Sequence, residues 1–332
     1  MITTAMPFPL KSSNGFIADS GSGWVIIDGG VNTEVNRRVW ETALHNIGIS
    51  WPQIKAIYLT HYHHDHLGLA GWMQQQADVP VYIAAPDARM VENILHLSVS
   101  DYRDRFQDEC LSHDWSRELQ LLLAKDVVSI SYLLDPLPEL SIFPEASSFQ
   151  MADYLMTAIP IPGHTDGHLA FTGNGEIIFS GDNLLAYYQL HATDWPHNLH
   201  PNPLQLFIKA MANLESLPIR QVFPGHGPVF DNFSERIQLL YQHHLGRLNQ
   251  VSKMLTRPMT AWGLAQMVFP KAEYIHIKRL ILAETLAYLQ WLEYHGFVLT
   301  HSRDGIVYYQ PATDLANSLT MEQLFLENPP TL

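Results

Sequence analysis

Thr60-His61-Tyr62-His63-His64-Asp65-His66-Leu67-Gly68 puts His61, His63, Asp65 and His66 within six residues. The stretch follows directly on Ile54 to Leu59, a short apolar run of strand type. The loop therefore opens where a buried strand ends. Imidazole nitrogens and a carboxylate are the ligands a borderline divalent ion such as Zn²⁺ prefers. A lone histidine is usually a hydrogen-bonded core residue. Four such groups packed together without a metal would leave buried charge and unpaired donors. They are also too many for one tetrahedral site, which points to two sites sharing a loop.

Two sites need more ligands, and further candidates stand at strand ends. Pro162-Gly163-His164-Thr165-Asp166-Gly167-His168 follows a strand-like run at 158–161. Ser180-Gly181-Asp182-Asn183 follows one at 177–179, and Pro224-Gly225-His226-Gly227-Pro228 follows one at 221–223. Each has glycine beside the candidate ligand, which permits a tight backbone close to an ion.

Around these motifs, strand and helix patterns alternate. Strands are expected at 16–18, 24–27, 54–59 and 81–83, with helices over 33–47 and 69–77, a layered α/β pattern. Residues 86–135 break the rhythm and read as a helical insertion. Thr172-Gly173-Asn174-Gly175 predicts a hairpin turn. A helix is expected around 203–216. From 234 onward the pattern is helical, over 234–256, 260–268 and 274–296, and ends in a hairpin around Ser302-Arg303-Asp304-Gly305. Three helices and a hairpin outline a winged helix.

The ordered motifs resemble the metallo-β-lactamase superfamily, whose His-x-His-x-Asp-His signature is present as His61, His63, Asp65 and His66. The resemblance covers about residues 8–232. It implies an αββα sandwich with metals at one edge. It further implies one site from His61, His63 and His164, a second from Asp65, His66 and His226, and Asp182 bridging both. Asp28 matches a position that supports the metal loop from behind the ligands. Gly163-His164-Thr165-x-Gly167-His168 resembles the glyoxalase II-like branch, in which His168 supports the site or lines the pocket rather than ligating. The tail resembles the branch with an appended winged helix, which includes an endoribonuclease and thioesterases acting on polyketide carrier proteins. The domains expected are a catalytic one over 1–233, carrying the insertion at about 86–135, and a helical, winged-helix-like one over 234–332.

Composition narrows the partners. The 332 residues carry 19 basic and 33 acidic groups, a net charge of −14, which does not favour nucleic acid. The exception is 245–311, with seven basic and four acidic groups. Even there, Lys278 and Arg279 stand against Glu284 and Glu293, so dimerisation or pocket covering fits better than sequence-specific binding. A homodimer is compatible with the sequence. Cys110 is the single cysteine, which excludes internal disulfides and cysteine-rich metal modules. It reads as an inert or partly buried thiol. No run approaches the ~18 apolar residues of a membrane helix. Met1 to Leu10 has no basic stretch and no long apolar core, so no secretory signal is expected and a cytoplasmic location is.

The chemistry expected is hydrolysis by two Zn²⁺ ions, although His/Asp sites also accept Fe or Mn. A metal-bound hydroxide would attack an ester- or thioester-type carbonyl of a small-molecule or acyl-carrier substrate, with Asp65 both ligating and orienting. The alternative is a phosphodiesterase or endoribonuclease of the same fold. Flavin-linked di-iron oxygen reductases of this fold resemble a pattern with glutamate where this chain has His63, which argues against redox chemistry. Tyr187 and Tyr188 are expected to pack, with one hydroxyl a candidate for oxyanion stabilisation. His191, His197 and His200 are expected at the surface, and His243 and His244 in solvated or domain-interface positions.

Overall fold

The computed structural model describes residues 1–6, 11–94, 97–144, 147–187, 201–312 and 318–326. Tyr188, His191, His197 and His200 lie outside the described residues. The first third of the chain forms β1 (Ile2–Ala5), β2 (Ser12–Asp19), β3 (Trp24–Ile27), α1 (Glu34–Asn46), β4 (Ile54–Tyr58), α2 (His64–Leu67), α3 (Ala70–Ala77) and β5 (Val81–Ile83). Three helices follow, α4 (Ala85–Ile94), α5 (Val99–Ser112) and α6 (Arg117–Ser131). Then come β6 (Leu140–Ile142), β7 (Ser148–Met151), β8 (Tyr154–Pro160), β9 (Leu169–Gly173), β10 (Ile177–Gly181), α7 (Pro203–Glu215) and β11 (Gln221–Pro224). The remainder is α8 (Phe233–Met254), α9 (Ala261–Val268), α10 (Ile275–Tyr294), β12 (Val298–Arg303), β13 (Ile306–Pro311) and α11 (Met321–Leu324).

The strands build a six-stranded sheet in the order β1-β2-β3-β4-β5-β6 and a five-stranded sheet in the order β11-β10-β9-β8-β7. Between them lies an aromatic core. Phe16, Val25, Ile27, Ala56 and Tyr58 of the first sheet meet Phe149, Met151, Met156, Leu169, Phe171 and Phe179 of the second. Tyr58 stacks on Phe149 with ring centroids 3.8 Å apart. Each such side chain removed from water contributes about 2 kcal/mol, so the two sheets form one sandwich. The other face of the first sheet packs Ile26, Ile57, Val81 and Ile83 against Trp40 and Leu44 of α1 and Trp72 and Met73 of α3. Trp40 also donates its indole N–H to Gly29 O at 2.8 Å, which secures the turn after β3.

Several expectations hold locally. Thr33 caps α1 by accepting from Asn36 N–H. The Asn174-Gly175 turn joins β9 to β10 with both residues at positive φ. The pattern reading missed β1, β6 and β7, which are three or four residues long and stand at or next to sheet edges.

The chain divides into two compact units: Met1–His96, Ile130–Leu190 and Asn213–Arg236 form one, and Leu97–Ser129, His191–Ala212 and Ile237–Leu332 the other. Both large sheets belong to the first. In the second, α9 and α10 are followed by the β12–β13 hairpin, paired from Val298 with Pro311 to Arg303 with Ile306. The end of α5 is tied to the start of α9. Thr260, which caps α9, donates to Asp114 Oδ2 at 3.1 Å, and Trp115 meets Trp262 edge-on at 5.6 Å. Of the two positions expected for His244, solvated or at a domain interface, the solvated one does not hold. His244 is buried, its Nδ1 lies 2.9 Å from Tyr288 Oη, and Phe207 packs on its ring. Neighbouring helix residues point about 100° apart, so His243 does not share that burial. Cys110 is buried. Among the described residues, no helix is long and apolar enough to cross a membrane.

Candidate metal centre

The candidate ligands stand where strands of the two sheets end. After β4 the chain continues through Thr60 and His61 to His63, which directly precedes α2, so Asp65 and His66 lie on that short helix. His164 and His168 lie between β8 and β9, Asp182 follows β10, and His226 follows β11. Two groups result. His61, His63, His164 and Asp182 have ligand atoms within 4.8 Å of one another, and so do Asp65, His66, Asp182 and His226.

In the first group, His63 Nδ1 lies 3.1 Å from His61 Nε2 and 3.0 Å from His164 Nε2. Asp182 Oδ2 is 3.8 Å from His61 Nε2 and 3.5 Å from His164 Nε2. In the second, Asp182 Oδ1 is 3.2 Å from His66 Nε2 and 3.4 Å from His226 Nε2, and Asp65 Oδ2 is 3.1 Å from His226 Nε2. Ligand atoms held 2.0–2.1 Å from a tetrahedral ion stand about 3.3 Å apart, which matches these separations. His66 Nε2, His226 Nε2 and Asp182 Oδ1 are buried without a hydrogen-bond partner, as expected of atoms that face an ion. The donor set and the orphaned atoms therefore fit two divalent cations, with one Asp182 oxygen facing each group.

The supporting contacts set the tautomers. Asp28, at the end of β3 with φ 58°, takes the left-handed conformation that aspartate tolerates better than most residues. Its carboxylate accepts from Thr60 N–H at 2.9 Å, Thr60 Oγ1–H at 2.8 Å and His66 Nδ1–H at 2.9 Å. Thr60 Oγ1 in turn lies 3.0 Å from His61 Nδ1, and His226 Nδ1 donates to Ser12 O at 2.6 Å. In all three histidines Nε2 is left facing the cluster. His168 lies outside both groups. Its Nε2 accepts Asp182 N–H at 3.1 Å, and its ring stacks on His61.

The electrostatics separate the groups. Burial, reinforced by neighbouring histidines, holds His61 and His63 well below the usual histidine range, so both offer neutral imidazole. Burial acts in the same sense on His66 and His226, but the carboxylates overcome it. Asp182, Asp28 and Asp65 lift His66 well above its ordinary value, and Asp182 and Asp65 lift His226 to about 10. Burial would raise Asp65, but His66, His64 and His226 outweigh it and hold the carboxyl ionised. A cation entering the second group would thus displace protons.

Three contributors were missed from sequence. Thr60 was quoted in the motif without a role. Asn14 donates its side-chain amide to Pro224 O at 3.0 Å and Gly227 O at 2.8 Å, which fixes the loop that carries His226. Asp87 bonds both histidine loops. Asn14 and Asp87 are remote from every motif, and no local signal marks them. Tyr187, expected to pack, is 76% exposed.

Gly225 shows how closely the ligand turns approach. A Cβ there would stand 2.4 Å from Asp182 Oδ1 and 2.7 Å from His66 Cε1. Gly225→Ala is expected to weaken binding at the second group about tenfold or more, read by metal titration. Unchanged affinity would contradict the arrangement.

The profile of the metallo-beta-lactamase superfamily matches residues 8–226, and the chain belongs to that superfamily. A probable metallo-hydrolase of Bacillus subtilis, YqjP, is 24% identical over 306 residues, covering 87% of this chain and 91% of the relative. The atrochrysone carboxyl ACP thioesterase of Aspergillus fumigatus is 22% identical over 232 residues, covering 69% of this chain and 55% of the relative. A metallo-beta-lactamase family protein of known structure from Thermus thermophilus superposes with a TM-score of 0.80 at 25% identity, covering 93% of this chain and 97% of that one.

Proposed function

We propose that this protein is a dinuclear metal-dependent hydrolase that cleaves an ester- or thioester-type bond in a small-molecule or acyl-carrier substrate. The observation that carries this reading is the sharing of Asp182 between two His/Asp groups through different oxygens. Zinc suits the donor set, and iron or manganese could replace it. When bound, the ions would lower the pKa of water and polarise the substrate carbonyl.

The chain's own residues supply the rest. His61 and His63, kept neutral by burial, offer lone pairs rather than protons. Asp65, kept ionised, accepts a hydrogen bond from the attacking water and orients it, but is too weak a base to store its proton. Asp28 and Thr60 hold His66 and His61 in their ligating tautomers. His168 holds Asp182 through its backbone.

The carrier-protein thioesterase among the relatives supports a thioester substrate over a phosphodiester, and so does the net charge of −14. The winged-helix-like reading of α8–α10 with β12 and β13 belongs to the same proposal. The test offers zinc-loaded protein acyl-CoA thioesters, lactones, S-lactoylglutathione, bis-p-nitrophenyl phosphate and a short RNA. Thioester or ester cleavage, lost in His61→Ala, is the expected result. Cleavage of the phosphodiester or RNA alone would overturn it.

A further inference from the structure

We infer that Asp87 is a positioning residue for the first group of candidate ligands: its carboxylate locks the loop carrying His61 and His63 to the loop carrying His164. The inference rests on the two-ion reading above. Asp87 stands on the first turn of α4 and is fully buried. One oxygen, Oδ2, accepts Tyr62 N–H at 3.0 Å and Thr165 Oγ1–H at 2.9 Å, and Oδ1 accepts Gly167 N–H at 2.7 Å. Tyr62 lies between His61 and His63, and Thr165 directly follows His164. One carboxylate thus joins three segments that are far apart in the chain, at the point where two of them deliver ligands.

Two further observations support a built contact. A Cβ on Gly167 would stand 2.5 Å from Asp87 Oδ1 and 2.7 Å from Asp87 N, so the loop is shaped around this side chain. Burial, against the three hydrogen bonds, pushes the Asp87 carboxyl up to about 7. An acid in such surroundings is costly to keep where an apolar residue would fill the space.

The second group is held by other means. His66 is fixed by Asp28, and His226 by Ser12 O, with Asn14 fixing its loop. Loss of Asp87 should therefore act on one group and spare the other, whereas a residue that merely stitches the core would weaken both. Asparagine is the informative replacement. It keeps the shape, but its amide nitrogen must face either Gly167 N–H or the Tyr62 N–H and Thr165 pair. In either orientation a backbone donor loses its acceptor.

The experiment titrates full-length wild type, Asp87→Asn, Asp87→Ala and Thr165→Val with Zn²⁺ against a competing chelator. Cobalt absorption spectra of His164→Ala and His226→Ala serve as references for each group, and circular dichroism checks the fold. Wild type should bind two ions. Folded Asp87→Asn should lose about tenfold or more in affinity at one group only, and its limiting cobalt spectrum should match that of His164→Ala. Thr165→Val should show a smaller loss at the same group. If wild type binds two ions and folded Asp87→Asn keeps both affinities, or loses both equally, the inference fails. If the Asp87 variants do not fold, an unchanged first group in Thr165→Val overturns it. Wild type binding fewer than two ions would instead refute the two-ion reading itself.

Discussion

Asp182→Ala should strip both ions from the protein, and activity should fall about a thousandfold or more, equivalent to about 4 kcal/mol of barrier. Asp182 serves both groups of candidate ligands, with Oδ2 3.5 Å from His164 Nε2 and Oδ1 3.2 Å from His66 Nε2. Removing it also leaves His66 and His226 without the carboxylate that contributes most to raising them. Each group also loses one of its four candidate ligand side chains, so neither keeps a full tetrahedral set. His63→Ala provides the contrast, since His63 belongs to the first group alone and its loss should leave one ion bound. Metal content after gel filtration, measured beside turnover, separates the outcomes. An Asp182→Ala protein that retains two ions would remove the bridging role.

Asp28→Ala should have the largest effect on stability, about 3–5 kcal/mol, the usual cost of breaking a buried ion pair by removing one partner. The carboxylate and the His66 ring are both fully buried and 2.9 Å apart. Alanine leaves three donors without an acceptor: Thr60 N–H, Thr60 Oγ1–H and His66 Nδ1–H. It also frees the rings of His61 and His66, so metal affinity should fall in the same variant. Asp28→Asn keeps one acceptor and should lose less. Urea unfolding of the metal-free proteins measures the stability difference without the contribution of bound metal. A difference under about 1 kcal/mol, the scale of an ordinary surface change, would show that Asp28 does not hold the loop as described.

The candidate ligands were readable because each sits in a dense local signal: several histidines and a carboxylate, or a glycine beside a candidate ligand, just after an apolar strand. Of the residues that hold those side chains, Asp28 and His168 were reached through the family resemblance, but Asp87 and Asn14 give no such signal. Asp87 begins an ordinary helix, and Asn14 lies inside a strand. Each acquires its role only when a segment from elsewhere in the chain arrives opposite it, as Thr165 and Gly167 do for Asp87 and Pro224 and Gly227 for Asn14. The short strands Ile2–Ala5, Leu140–Ile142 and Ser148–Met151 escaped notice for a related reason. Three or four residues are too few to show a period, and their pairing partners are supplied by the sheet.

Local chemistry therefore determined the ligand types, the turns that carry them, the Asn174-Gly175 hairpin and the α/β class, because capping, alternation and turn preferences act between near neighbours. Tertiary structure alone decided which Asp182 oxygen faces each group, that Asp28 bonds both His66 and Thr60, and that the helical segments at 99–112 and 117–129 fold within the same unit as the C-terminal helices. Those outcomes depend on packing two sheets around the Tyr58–Phe149 core. Packing of that kind fixes where strand ends meet, and no stretch of chain can specify such a meeting by itself.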